Sequence, residues 1–160
     1  MAEDKKIENK KEHKTTETKE KKKQAIVNGR DLPVSLKHAV AICNFIKGKE
    51  IDRAIAILEE VVRFKKPVPM RGEIPHRHGM NKASGSGRYP VKASGIFIVL
   101  LKSLKSNAIV NELELEKYKI HAISNLAPRP YRRFGQGRFK RAHVTIKLIP
   151  VNENKSGGKK

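Results

Sequence analysis

The 160-residue chain carries 36 Lys and Arg against 16 Asp and Glu, a formal charge of +20. So large an excess opposes compaction unless a polyanion balances it, which points to nucleic acid first and an anionic membrane second. The single cysteine, Cys43, excludes an internal disulfide or a Cys-based metal cluster, and the longest apolar run, Ile96 to Leu101, is six residues, far short of a bilayer span.

Along the chain, residues 1–24 hold nine Lys and six acids around one large aliphatic residue, Ile7. They bury too little to offset ordering entropy and are expected to be a disordered Lys/Glu tail with no signal-peptide pattern. Gln24 to Leu32 is expected as a short strand that Gly29 interrupts. Ser35 then suits a helix N-cap, its hydroxyl accepting an early backbone N–H. Leu36, Ala39, Val40, Cys43 and Ile46 recur at helical spacing, and Gly48 fits a left-handed C-terminal position. A second helix is predicted over Ile51 to Phe64, with Ile51, Ala54, Ile55, Leu58 and Val62 as its stripe. Pro67 and Pro69 stop it.

Residues 67–89 read as a long irregular loop rich in proline, glycine and serine. Pro90 fits a first helical turn, and Ala93, Phe97, Leu100, Leu101 and Leu104 predict a third helix ending near Asn107. Tyr118–Leu126 alternates with Ile120 and Ala122 on one face. Val144, Ile146 and Leu148 alternate likewise, so an antiparallel hairpin over 117–149 is expected. Residues 152–160, with Gly157-Gly158 and terminal lysines, read as a second disordered tail. The organisation is therefore one domain, 25–151, between two tails.

The charge is not spread evenly. Residues 65–92 hold seven basic residues against Glu73 alone, and residues 117–151 hold nine with no acid, whereas the intervening 93–116 are nearly neutral. Within the second basic segment, PRPYRRFGQGRFKR (128–141) contains Arg129, Arg132, Arg133, Arg138, Lys140 and Arg141, interleaved with Tyr131, Phe134 and Phe139. Guanidinium forks pair with phosphate and stack on bases, and exposed aromatics offer faces to unpaired bases. Gly135 and Gly137 let the backbone turn and approach a ligand closely. The bland alternative is a solvated loop whose aromatics tuck onto the body, but such a loop has no need of six unbalanced cations.

In the first basic segment, Arg71, Arg77, Lys82 and Arg88 accompany His76 and His78. Two histidines without a nearby Cys or a complete carboxylate set do not make a metal site, so hydrogen bonding to phosphate or ribose is the preferred reading. Lys37 and Lys49 flanking the first helix, Lys92 at the start of the third, and His143 after the arginine-rich loop complete the expected RNA contacts. Gly79 to Gly85 lacks the Gly-Lys-Ser/Thr of a phosphate-binding loop. Cys43 on an apolar stripe reads as a buried, inert thiol, and His38, Ser35 and Asp31 as surface and capping residues. The scattered acids form no paired acid/base site. No catalysis, cofactor or metal is expected.

Taken together and in order, SLKHAVAICNFIKGKEIDRAIAILEEV, KPVPMRG, GRYPVKAS, LLKSLKSNA and APRPYRRFGQGRFKRAHVTIKL resemble the universal L twenty-two family of large-subunit ribosomal proteins, in the archaeal/eukaryotic form called L seventeen in eukaryotes. The resemblance covers about residues 25–151; the N-terminal Lys/Glu tail is not part of it. It implies an α+β fold of three helices on a small antiparallel sheet, with a long basic β-hairpin extension. It also implies binding to large-subunit ribosomal RNA (23S type), contacts with neighbouring large-subunit proteins, and a tip that reaches the nascent peptide in the exit tunnel. Arg132, Arg133, Phe134, Gly135, Gln136, Gly137 and Arg138 match that tip. The implied setting is cytoplasmic and ribosome-bound, without membrane or homo-oligomer. A free RNA-binding regulator or RNA chaperone explains the charge as well; an RNA-modifying enzyme would need an acid/base set or cofactor motif that the sequence lacks.

Overall fold

Strand β5, Ala142–Pro150, is the centre of a three-stranded antiparallel sheet, flanked by β1, Ile26–Leu32, and β4, Tyr118–Leu126. The structure is a computed structural model that describes residues 24–70 and 87–151. The alternation read from the sequence is realised: Ala142, Val144, Ile146 and Leu148 are buried on one face, joined by Ile120 and Ala122 of β4. Helices α1 (Leu36–Ile46), α2 (Ile51–Val62) and α3 (Val91–Val110) complete an α+β body, with α1 laid on β4 and α3 packed between α2 and the sheet. A one-residue slip of β5 would turn this whole apolar set to the opposite face, so the core pins the register Ile120↔Leu148 and Val27↔Ile146.

Local chemistry accounts for most boundaries. Gly48 closes α1 with φ 76°, and its N–H donates to the Ile120 carbonyl at 2.8 Å while Ile120 N–H donates to Lys49 at 3.0 Å. The turn after α1 thereby covers part of the edge of β4. Asp52, in the first turn of α2, pairs with Lys105 of α3 at 2.6 Å, placing a carboxylate where the helix dipole favours it.

Several expectations are corrected. Ser35 occupies the N-cap position, but its side chain makes no capping bond; its carbonyl accepts Ala39 N–H at 2.9 Å. The second helix ends at Val62, and its buried face is Ile51, Ala54, Ile57, Leu58 and Val61. Ile55 and Val62, placed in the stripe from spacing, are half-buried on its margins. The third helix runs to Val110 rather than Asn107. It is long and apolar enough to cross a membrane by length and composition. Its Ala93, Phe97, Leu101, Leu104 and Ala108 nevertheless lie in the common core, and Lys92, Lys102 and Lys105 stand along it, as in a core helix.

The 67–89 segment is not wholly irregular. Val68–Pro69 (β2) pairs antiparallel with Gly87–Arg88 (β3), so a two-residue ladder closes its root. Gly87 is required there, since a Cβ would lie 2.6 Å from the Pro67 ring. Arg71, His76, Arg77, His78 and Lys82 fall outside the described residues, as do both tails. The β4–β5 ladder stops at Leu126↔Ala142. Residues 127–141 do not continue it as paired strands, apart from one isolated bridge, Tyr131↔Arg138.

Candidate nucleic-acid interface

The exposed face of α1 is the floor of a cleft of about 1060 Å³, and both basic segments contribute to its walls. Lys37, His38, Asn44 and Phe45 come from α1 and Lys49 from the turn after it. Pro69, Met70 and Arg88 come from the β2–β3 root, and Lys140 from the arginine-rich loop. Helical geometry produces this face: Ala39, Ile42, Cys43 and Ile46 point into the core, so Lys37 and Asn44 are exposed, with Ala41 and Phe45 half-buried on the margin. Lys49 lies 5.7 Å from the Phe45 ring centroid, which keeps an aromatic face and a cation together at the rim.

His38 reports the electrostatics. Burial, then the positive charges of Arg88 and Lys140, hold its imidazole below the ordinary value. Two cations far apart in sequence thus converge on one side chain. A second groove of about 350 Å³ continues from the cleft through Lys37 and Lys140 to Arg129, Arg141 and Leu126.

The loop 127–141 organises itself. Arg132 N–H donates to Gly137 at 2.9 Å and Phe139 N–H to Pro130 at 2.9 Å, and the turn between them uses positive φ at Phe134 (59°), Gly135 (67°) and Gly137 (120°). The aromatics do not tuck onto the body. Tyr131 is 65% and Phe134 84% exposed, and each ring is partnered by a loop arginine instead. Arg138 sits 4.4 Å from the Tyr131 ring and also hydrogen-bonds its hydroxyl. Arg132 lies 5.2 Å from the Phe139 ring, and Arg133 lies 5.3 Å from that of Phe134. Exposed pairs of this kind contribute about 0.5–1 kcal/mol each. They place three guanidinium groups against the loop's own rings. Among the described residues, no carboxylate pairs with Arg129, Arg132, Arg133, Arg138, Lys140 or Arg141.

The structure therefore brings together Lys37, Lys49, Arg88 and Lys140 in the cleft, continues through Arg129 and Arg141, and sets Tyr131, Arg132, Arg133, Phe134, Arg138 and Phe139 at the loop tip. Lys92 is exposed at the start of α3 and lines neither groove. His143 lies instead beside β1, in a hollow with Asn28, Arg30 and Asp31. Sequence reading missed His38, Asn44 and Phe45. The signal that could have found them was the polar face complementary to the buried stripe of α1. Cys43 is buried with its thiol pushed up to about 12 by desolvation, which suits an inert core residue. Among the described residues no group of three metal-ligating side chains comes together.

The described residues form a small α+β body with a cationic cleft and an arginine-rich loop, a charge pattern suited to a polyanion. Residues 27–149 match the family model described as Ribosomal protein L22p/L17e. The chain is 38% identical over 117 residues to the large ribosomal subunit protein uL22 of Ignicoccus hospitalis, covering 70% of this chain and 74% of that one. It is 36% identical over 138 residues to the uL22 of Archaeoglobus fulgidus, covering 79% and 87%. For the uL22 of Methanocaldococcus jannaschii the identity is 37% over 123 residues, covering 75% and 78%. The chain belongs to the ribosomal protein L22p/L17e family.

Proposed function

We propose that this protein is a non-catalytic structural component of the large ribosomal subunit that binds large-subunit ribosomal RNA through the α1 cleft and the 127–141 loop. Family membership supports the ribosomal assignment. The observation that carries RNA binding is the loop itself: six cations largely exposed to solvent, with no carboxylate partner among the described residues, three of which, Arg132, Arg133 and Arg138, are paired with the loop's own aromatics. Phosphate is the counter-charge this array fits. The A-form duplex hides its base edges in a deep, narrow groove, so shape and unpaired nucleotides would do the selecting.

In this reading the helical body is a rigid handle and the loop is the part inserted between RNA segments. The tip, Arg132 to Arg138, would reach the wall of the nascent-peptide exit tunnel. Neighbouring large-subunit proteins would contact the body, and the protein would be ribosome-bound in the cytoplasm. Crosslinking in intact large subunits tests this: ribonucleotide adducts are expected at Lys37, Lys140 and the loop arginines. A loop facing bulk water in the particle would overturn it. Sedimentation of cell extract separates the alternative, because a free regulator or chaperone would be found mostly outside the ribosomal fractions.

A further inference from the structure

Phe64 stands where a helix usually ends in glycine. It follows Arg63, the C-cap of α2, and its φ of 59° is left-handed. Phe64 N–H donates to Val61 at 3.1 Å and Lys65 N–H to Glu60 at 2.9 Å, a helix-terminating turn in which a residue without Cβ is favoured. A bulky side chain is strained in this conformation. Burial does not compensate: Phe64 remains 64% exposed. Its ring neighbour is Tyr89, 5.5 Å away between centroids and tilted by 54°. The fold gains no core packing from an aromatic at this point, and strain kept at an exposed residue is characteristic of a functional position.

The surroundings are cationic. Arg63 and Lys65 are exposed and unpaired among the described residues, and Lys66 reaches Glu60 at only 3.9 Å. The carboxylates of the preceding turn, Glu59 and Glu60, are outnumbered by these three and Arg88. Tyr89 directly follows Arg88, which lines the α1 cleft. An aromatic pair among surplus cations, next to that cleft along the chain, is the chemistry that receives an unpaired base with its phosphate.

We propose that Phe64, backed by Tyr89, is a stacking platform for an unpaired RNA base, extending the binding face past the cleft to the C-terminus of α2. The proposal rests on the RNA-binding reading above.

The test uses the full chain and protein-free large-subunit ribosomal RNA from its own source cells. Phe64→Gly relieves the backbone strain, so the free protein keeps or gains thermal stability, while affinity falls about 5- to 150-fold. The salt dependence of binding stays unchanged, because no cation is removed. The chain contains no tryptophan, so Phe64→Trp introduces a single reporter that retains affinity and is quenched by the stacked base. A Phe64→Gly protein that is destabilised yet binds RNA normally, or a Phe64→Trp signal unquenched at saturating RNA, overturns the platform. Changing Arg132, Arg133 and Arg138 to Gln in parallel separates the two claims. Weaker binding by that variant alone removes only the platform; unaltered binding by both variants removes the RNA reading with it.

Discussion

The backbone N–H of Asp31 donates to Nδ1 of His143 at 3.1 Å, tying the bulge of β1 to the second residue of β5. Asp31 has φ 49°, and its carbonyl also accepts Arg141 Nη1 at 3.0 Å. Both ends of one strained residue are thus held by side chains at the point where the arginine-rich loop rejoins the sheet. His143→Ala is expected to lower unfolding free energy by about 0.5–1.5 kcal/mol, the value of one such bond. It should also speed proteolysis within 128–141 in the isolated protein. Urea denaturation and timed proteolysis check both, and an unchanged cleavage rate would show that the loop root is held elsewhere.

Arg129, Arg132, Arg133 and Arg138 lie on the surface away from the core, so converting all four to Gln should leave the core folded and cost only the three arginine–ring contacts of the loop, about 0.5–1 kcal/mol each. RNA binding will respond instead. Every phosphate that the variant no longer neutralises reduces the slope of log affinity against log salt by roughly 0.7–0.9. Titrations at several salt concentrations measure the slope directly; an unchanged value means these side chains do not touch the RNA backbone.

His38 sets opposite pH dependences for folding and for binding. Burial, Arg88 and Lys140 hold its folded value below the ordinary 6.5. As pH falls from about 6.5, the unfolded chain takes up the proton first, so the stability contributed by neutral His38 is full above that value and is lost toward the lower, folded one. A phosphate in the cleft screens Arg88 and Lys140 and favours the imidazolium, so RNA affinity rises over the same range. His38→Gln should flatten both profiles, His121 being lowered likewise and remaining in either protein. Calorimetric proton uptake on RNA binding is the direct measurement, and none at pH 6 would refute the coupling.

Gly87 faces a neighbour that cannot move aside. A Cβ would sit 2.6 Å from Pro67 Cβ and 3.3 Å from the Val68 carbonyl oxygen. Gly87→Ala is expected to cost about 1–3 kcal/mol by overpacking. By parting β2 from β3 it would also move Arg88 out of the cleft. Equilibrium unfolding gives the first effect. The second is a rise in the His38 titration midpoint, read by NMR, since a displaced guanidinium no longer depresses it.

The helices and the hairpin strands were legible in the sequence because their hydrophobic periods are clean. Ile120, Ala122, Val144, Ile146 and Leu148 read as a buried sheet face, and they form one. Ile55 and Val62 were misplaced because a twelve-residue helix offers two overlapping apolar stripes. The buried face, which includes Ile57 and Val61, is chosen by packing. The loop arginines were visible as composition, but their pairing with Tyr131, Phe134 and Phe139 was not.

By itself the sequence determined the secondary elements, the family, and the confinement of surplus charge to two segments, since these depend on residue type and local spacing. Only the tertiary structure decided that Arg88 and Lys140 meet over His38, because residues some fifty positions apart are brought together by burial of the core between them. The same holds for Phe64: its place in the chain looks like the end of a helical stripe. Its left-handed backbone and its exposed ring beside Tyr89 are visible only in the fold.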